Sequence, residues 1–456
     1  MKKYFVVFMI LALMVSVVGC GSDNDNGNDQ PQPATQGGSS TDNDDEIEIR
    51  FSWWGGDGRH EATLEVIRLF EEANPNVNVI PEYTAWSGHF ERVATQLTAN
   101  DEADLMQINF NWFYNFSPDG ERFVDLNTLE GHIDLSNWPD EIFDAVTING
   151  KIQGVPTSVG SRVYYMNTTI YDDLGIDIPE TWDDLMAAGN QIRDELGGDY
   201  YALGNIEYDA SLSLMMFGYL AQMTGKDIFD ENDEISYTVE ELTEGFNFVQ
   251  DLVDNHVIPG FHDDSSEKNH ENPNWIQGRY PATYNWPSSF SRYYDNLEPE
   301  FQENVVAVPY FKLNDNQLHS GTFNKVLMAF SVSPNSDHPE IAAQLIDFMY
   351  TNEEAVVAHG LERDVPANTV AQDILAANDL LKGVEFEGQQ LIEQYDDMFT
   401  FHPFYEDSVV RSTYEDLLDE FVMAEGGMSA EEAAQRLLQE TNAAMAEAIA
   451  DAQDFQ

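Results

Sequence analysis

Apolar and polar residues alternate through Ile47, Ile49, Phe51 and Trp53, the two-residue period of a strand with one buried face. Trp54-Gly55-Gly56 interrupts the alternation. Leu64, Ile67 and Phe70 then recur at helical spacing, and Asn74-Pro75 closes that predicted helix. Val77, Val79 and Pro81 predict a second strand, Phe90, Val93, Ala94 and Leu97 a second helix, and Leu105, Met106 and Ile108 a third short strand. Strands and helices alternating in this order build a parallel sheet, which receives ligands at the carboxyl ends of its strands.

A second region opens after Gly150-Lys151-Ile152-Gln153-Gly154-Val155-Pro156. Thr181 with Asp184 predicts a capped helix carrying Leu185, Ala188 and Ile192. Asp337 and Pro339 open another, with Ile341, Leu345, Phe348 and Met349 inward, and Ser429 with Glu432 opens the last, carrying Leu437, Leu438, Met445 and Ile449. There is no internal repeat. A folded part of about 400 residues exceeds one hydrophobic core, so two lobes are expected.

The start of the chain has a different pattern. Lys2 and Lys3 precede an apolar run from Tyr4 to Val18 that ends at Gly19, the layout of a secretory signal over residues 1–19. Cys20 follows and is the sole cysteine, which excludes intramolecular disulfides. A lone cysteine after a small residue at the end of a signal resembles a bacterial lipobox, in which the thiol is acylated. Ordinary peptidase cleavage would instead leave a free thiol. Residues 20–45 contain one aliphatic side chain, Ala34, and read as a flexible acidic linker. Asp23 and Asp25 near Gly27 lack the spacing of a calcium loop.

Charge changes the list of partners. Against 20 Lys and Arg stand 83 Asp and Glu, a formal net charge of −63. Nucleic acid and anionic membrane surfaces are poor partners for such a body. The acids are spread through the helices and not gathered in a tail, which suits a solvated surface in salty surroundings.

Several blocks in order resemble the family 1 extracellular solute-binding proteins of sugar ABC transporters. They are Phe51-Ser52-Trp53-Trp54-Gly55-Gly56 with Arg59-His60; Phe70-Glu71-Glu72-Ala73-Asn74-Pro75; Asp104-Leu105-Met106-Gln107-Ile108; Gly150 through Thr157; Tyr164-Tyr165-Met166-Asn167; Thr181-Trp182; and Trp275-Ile276-Gln277-Gly278-Arg279 with Tyr284-Asn285-Trp286. Asn285 stands where the family often has Gly. The resemblance implies an α/β, two-lobed periplasmic-binding-protein-like fold of type II. The chain would cross between lobes about three times, and a hinge would close the lobes on a sugar. Residues 46–157 and 305–360 would form lobe I, and 158–304 with 361–456 lobe II. It further implies a lipid-anchored protein on the outer face of the bacterial membrane, or in a periplasm. Such a protein hands its ligand to the membrane-spanning subunits of an ABC transporter, as a monomer and without cofactor or metal. The Trp-Trp-Gly-Gly opening is similar to a subgroup associated with plant-polysaccharide fragments, pectin-derived ones included.

A sugar site needs aromatic platforms for C–H faces and planar polar groups for hydroxyl rims. Trp54 is expected to face the ligand from the end of the first strand, while Trp53, in phase with Phe51, packs into the core. Asp57 and Arg59 enter the first helix beside it. Trp86 follows the second strand, and Asn109, Asn111 and Trp112 follow the third, so tryptophans recur at one sheet edge. From the second lobe, Arg162, Tyr164, Tyr284 and Trp286 are candidates, and Phe323 and Asn324 return to the cleft after Gly321. Trp182, on a helix, is expected in the core. Arg59, Arg162 and Arg363 are cations that a uronate could use. Three alternatives stay open: a uronate-containing oligosaccharide, a non-sugar solute such as a polyamine, and a glycoside hydrolase. For the hydrolase, acid pairs among so many carboxylates carry no information. His-Glu-x-x-His, Gly-x-Ser-x-Gly and phosphate-loop patterns are absent from the sequence.

Overall fold

The computed structural model describes residues 46–204, 208–260, 269–423 and 427–454. The expectations for the signal, Cys20 and the linker lie outside the described residues. The opening runs β1 (Ile47–Trp54), α1 (Asp57–Ala73), β2 (Val77–Thr84), α2 (His89–Ala99) and β3 (Leu105–Asn109). Then come α3 (Trp112–Phe116), the hairpin β4 (Thr147–Ile148) and β5 (Lys151–Ile152), and β6 (Val155–Pro156). The middle of the chain supplies β7 (Val159–Gly160), β8 (Val163–Asn167), α4 (Thr169–Leu174), α5 (Trp182–Leu196), α6 (Tyr208–Thr224), α7 (Val239–Asp254) and α8 (Pro273–Ile276). After these follow β9 (Ala282–Asn285), α9 (Pro287–Asn296), α10 (Pro299–Gln302), β10 (Val305–Val308), β11 (Phe323–Val326) and β12 (Met328–Val332). The last part is α11 (Pro339–Thr351), α12 (Glu353–His359), α13 (Thr369–Ala377), α14 (Val384–Ile392), β13 (Phe399–Thr400), α15 (Ser408–Met423) and α16 (Ala430–Asp454).

The principal sheet has the order β2-β1-β3-β12-β6. β1 lies parallel to β2 and β3, because α1 and α2 carry the chain back over the sheet between strands. β12 returns antiparallel to both β3 and β6. All five residues of β3 are buried, as befits a central strand covered on both faces. Local signals hold where they were expected: Thr181 and Asp184 form a reciprocal capping box on α5, and Ser429 Oγ accepts from Glu432 N at the start of α16. On α11 Pro339 takes the first helical position, with His338 rather than Asp337 at the cap.

The second sheet is antiparallel, β10-β8-β9, with β8 in the middle. Residues 305–308 thus run along Tyr164–Asn167 in this sheet, although the sequence groups them with the first lobe. A third small sheet, β13-β11-β7, lies beside it. The chain passes from the first sheet to the third between β6 and β7, and back between β11 and β12. The two passages lie side by side, with Thr157 N donating to Met328 O at 2.9 Å and Leu327 N to Ser158 O at 3.1 Å. A third passage falls at residues 378–383, since α13 packs on α11 and α12 while α14 packs on β8, β10 and α9. Residues 361–377 therefore stay with the first sheet. The described residues pack into one compact unit. Among the described residues no helix is long and apolar enough to cross a membrane.

Candidate functional site

The pleat separates the first two tryptophans. Trp53 is fully buried, 4.8 Å from the Phe51 ring and 5.0 Å from Tyr83, and its Nε1 donates to His60 Nδ1 at 3.1 Å. Trp54 emerges on the opposite face and meets Trp86 at 5.2 Å, Trp112 at 5.1 Å and His89 at 5.3 Å between ring centroids. Trp86 stacks on Trp112 at 5.5 Å with planes 19° apart. The tryptophans at the ends of β1, β2 and β3 thus form one cluster. Its members differ in access: Trp54 and Trp112 are buried at 7% and 4% exposure, while Trp86 is 48% exposed. Trp54 therefore presents no open face; it is the floor on which Trp86 rests.

A polar chain runs from the same sheet edge into the second lobe. Asn109 Nδ2 donates to Asn111 Oδ1 at 2.7 Å and to Glu406 Oε2 at 3.1 Å. The other oxygen of Glu406 accepts from Lys325 Nζ at 2.5 Å. That ammonium lies 4.9 Å from the Trp286 ring, 5.2 Å from Phe110 and 4.8 Å from Phe401. The Arg162 guanidinium is 5.1 Å from the Trp286 ring, and its Nη1 reaches Ser211 Oγ at 2.8 Å and the Tyr284 carbonyl at 3.4 Å. Burial pushes the Lys325 ammonium below the usual lysine range, and Glu406 offsets this only in part. For Glu406 burial acts upward, but Lys325 and the Asn109 amide together hold the carboxyl below its ordinary value. Lys325 and Glu406 were not legible in the sequence. They lie in β11 and in a short 3-10 turn, Pro403–Glu406, far along the chain from Asn109, with no periodic pattern to mark them.

The other candidates have structural partners. Arg59 is buried: its Nε donates to Glu362 O at 2.8 Å and its Nη1 to Trp54 O at 3.4 Å, so the guanidinium ties α1 to the segment after α12. Arg363 is deeper, donating to Gln107 Oε1 and Thr63 Oγ1 and meeting His359 Nε2. Burial lowers its pKa to about 9. Tyr164 and Tyr284 stack at 4.6 Å inside the second-lobe core with Tyr310, Phe311 and, as expected for a core residue, Trp182. Their expected place at the cleft gives way to this packing because consecutive strands present them to the same buried face. Phe323 is likewise buried, between Trp286, Phe399 and Phe401. Asn324, next in the strand, turns the other way and is partly exposed, with a buried Oδ1 that has no hydrogen-bond partner. Asp57 is exposed in the first turn of α1. Among the described residues no cluster of His, Cys, Asp and Glu is arranged to hold a metal.

The arrangement is one exposed ring, Trp86, on a buried aromatic floor on one side and a wall of one tryptophan, two cations and a carboxylate on the other, joined by two amides. It suits a flat, partly apolar, hydroxylated ligand. Residues 65–383 match the model of a family described as bacterial extracellular solute-binding protein. A solved periplasmic oligogalacturonide-binding protein from Yersinia enterocolitica, in complex with saturated digalacturonic acid, is 32% identical. It superposes with a TM-score of 0.82 over 89% of this chain and 100% of that one. A periplasmic solute-binding protein from Pectobacterium atrosepticum is similar at 33% identity and a TM-score of 0.82, covering 88% and 100%. An arabinooligosaccharide-binding protein of Halalkalibacterium halodurans is 26% identical over 257 residues, 55% of each chain. The chain thus spans about half the length of the curated relatives it matches. The family match over most of the folded part, with two full-length structural relatives above 30% identity, places the chain among the bacterial extracellular solute-binding proteins.

Proposed function

We propose that this protein binds an oligosaccharide between its lobes and delivers it to the membrane-spanning subunits of an ABC importer. The observation that carries the reading is the convergence of Trp54, Trp86 and Trp112 at three strand ends, linked through Asn109 and Glu406 to the Lys325–Trp286–Arg162 wall. Stacking faces paired with planar polar groups are what sugar rings require. The arabinooligosaccharide and oligogalacturonide named for two relatives support the same class. Trp86, Trp286, Asn109, Asn111, Arg162 and Lys325 form the ligand set of this reading, and no catalytic role is assigned. Lipidation at Cys20, the signal at residues 1–19, a monomeric state and a salt-adapted acidic surface belong to the same proposal.

One observation favours a narrower ligand. Arg162 and Lys325 both lie against Trp286, so two cations flank one aromatic face within a strongly acidic protein. A uronate stacked on Trp286 would meet that charge. Thermal unfolding in concentrated salt with neutral oligosaccharides, digalacturonate and polyamines tests both readings. A ligand that binds only the native state raises the midpoint. A shift with sugars supports the proposal, and a shift confined to digalacturonate selects the uronate. A shift with polyamines alone overturns the sugar assignment.

A further inference from the structure

His89 is an unexplained polar group in the aromatic cluster. It opens α2 one residue after Gly88, whose φ of 78° sets the tight turn from Trp86. The side chain is wholly buried, with its ring 5.3 Å from Trp54 and 6.0 Å from Trp112. Nδ1 is paired with Thr84 Oγ1 at 2.7 Å, which fixes the ring orientation from the end of β2. Nε2 is buried and has no hydrogen-bond partner. Native proteins seldom leave such an atom unpaired, since the group has lost its water and gained nothing in exchange. The two indoles that flank the imidazole are the two on which Trp86 rests, and Trp86 is the exposed member of the group.

We propose that His89 Nε2 is a specificity-determining contact for a sugar hydroxyl, reached when Trp86 moves aside to stack on the ligand. This rests on the oligosaccharide reading above and adds a residue to it. The chemistry narrows the partner. Burial, reinforced by Arg92, pushes the imidazole down to about 4, so the ring is neutral near pH 7. A neutral ring offers Nε2 as donor or as acceptor, depending on which way the Thr84 hydroxyl points. A hydroxyl complements either state. A carboxylate needs a donor and an ammonium an acceptor, so neither fits both.

The test is calorimetric titration of the full chain and of His89→Phe and His89→Gln with arabinotriose, maltotriose and digalacturonate. Phe keeps the flat ring without nitrogen, and Gln restores a polar atom. Loss of one buried hydrogen bond predicts about tenfold weaker binding for His89→Phe, with partial recovery for His89→Gln. Binding by His89→Phe within about twofold of the wild type would overturn the assignment. If the wild type binds none of the three sugars, the underlying sugar reading fails instead. Should His89→Phe not fold, nitrogen NMR of the wild-type imidazole decides: ligand must shift Nε2 and leave Nδ1 in place, and an unmoved Nε2 sinks the proposal.

Discussion

Lys325 Nζ and Glu406 Oε1 are 2.5 Å apart, and the ammonium is enclosed by the rings of Phe110, Trp286 and Phe401. The lysine side chain is 4% exposed and the glutamate 22%. Removing one partner of such a pair leaves the other charge buried without compensation, which costs ~3–5 kcal/mol. Glu406→Gln is therefore expected to lower stability in denaturant titration by that order, with Lys325→Met restoring much of it in the double variant. The pH dependence has a definite sign. The Glu406 carboxyl is held below its unfolded value of about 4.3. Its contribution is full above that value and is lost as pH falls through the folded one. If the ligand carries a carboxylate, digalacturonate should raise the midpoint of Glu406→Gln more than that of the wild type. An equal rise in both would argue that the ligand does not meet Lys325.

The tryptophans separate by access. Trp86 is half exposed and closes no core, so Trp86→Ala should weaken sugar binding by ~1–3 kcal/mol and leave the unfolding midpoint nearly unchanged. Trp54 and Trp112 are buried against each other and against His89, and truncating either should cost ~3–5 kcal/mol of stability. Trp286 is partly buried and caps the entry to α9, so Trp286→Ala should reduce both affinity and stability. Unaltered affinity in Trp86→Ala would remove that residue from the site.

The first lobe was legible because its signals are local. The alternation from Ile47 to Trp53, the helical spacing through Phe70 and the run at Leu105 all correspond to observed elements. The same alternation separated Trp53 from Trp54 correctly as to face. It could not show that the second face is covered too, because α2 and Trp112 arrive there from other parts of the chain. Pairing of Val305–Val308 with β8 was invisible for a related reason: an antiparallel partner is chosen by packing across the whole fold, and Val-Val-Ala-Val reads alike in any sheet. Lys325 and Glu406 each have ordinary neighbours in sequence. Only the sheet edge brings them to Asn109.

Asp364 supplies a second pH-dependent contact, with the opposite sign. Its Oδ1 accepts from Ser288 N at 2.5 Å, at the start of α9, and it joins the segment after α12 to the second lobe. Burial raises the carboxyl to about 6, while Ser288 and Arg59 oppose the shift. A folded pKa above the unfolded value of about 3.9 means that the folded chain binds more protons in between. This contribution is full below the unfolded value and is lost as pH rises through 6, a difference of the order of 3 kcal/mol. Asp364→Asn keeps an acceptor for Ser288 and removes the titration. Its stability relative to the wild type should increase from pH 4 to pH 8. A difference independent of pH would show that Asp364 titrates alike in the folded and the unfolded chain.

Two amide–carboxylate bonds hold the lobes together on the other side. Asn109 Nδ2 donates to Glu406, and Asn115 Nδ2 donates to Asp407 Oδ2 at 3.1 Å. Both acceptors lie in or just beyond the 3-10 turn that packs on α15 and α16, while the donors lie at the end of β3 and in α3. Bonds to a charged group contribute ~1.5–3 kcal/mol each when buried and less where water competes. Together they are expected to bias the ligand-free molecule toward closure before any sugar is bound. Replacing both asparagines with alanine leaves Glu406 paired to Lys325, so the fold should survive while the bias is removed. Small-angle scattering should then give a larger radius of gyration for the ligand-free double variant than for the ligand-free wild type, and sugar should bring the two together. The variant should also bind more weakly, both because Asn109 belongs to the ligand set and because part of the ligand's free energy now goes to populating the closed form. Equal radii without ligand would mean that closure does not depend on these two amides, leaving the adjacent passages at Thr157–Ser158 and Leu327–Met328 as the elements that set the angle between the lobes.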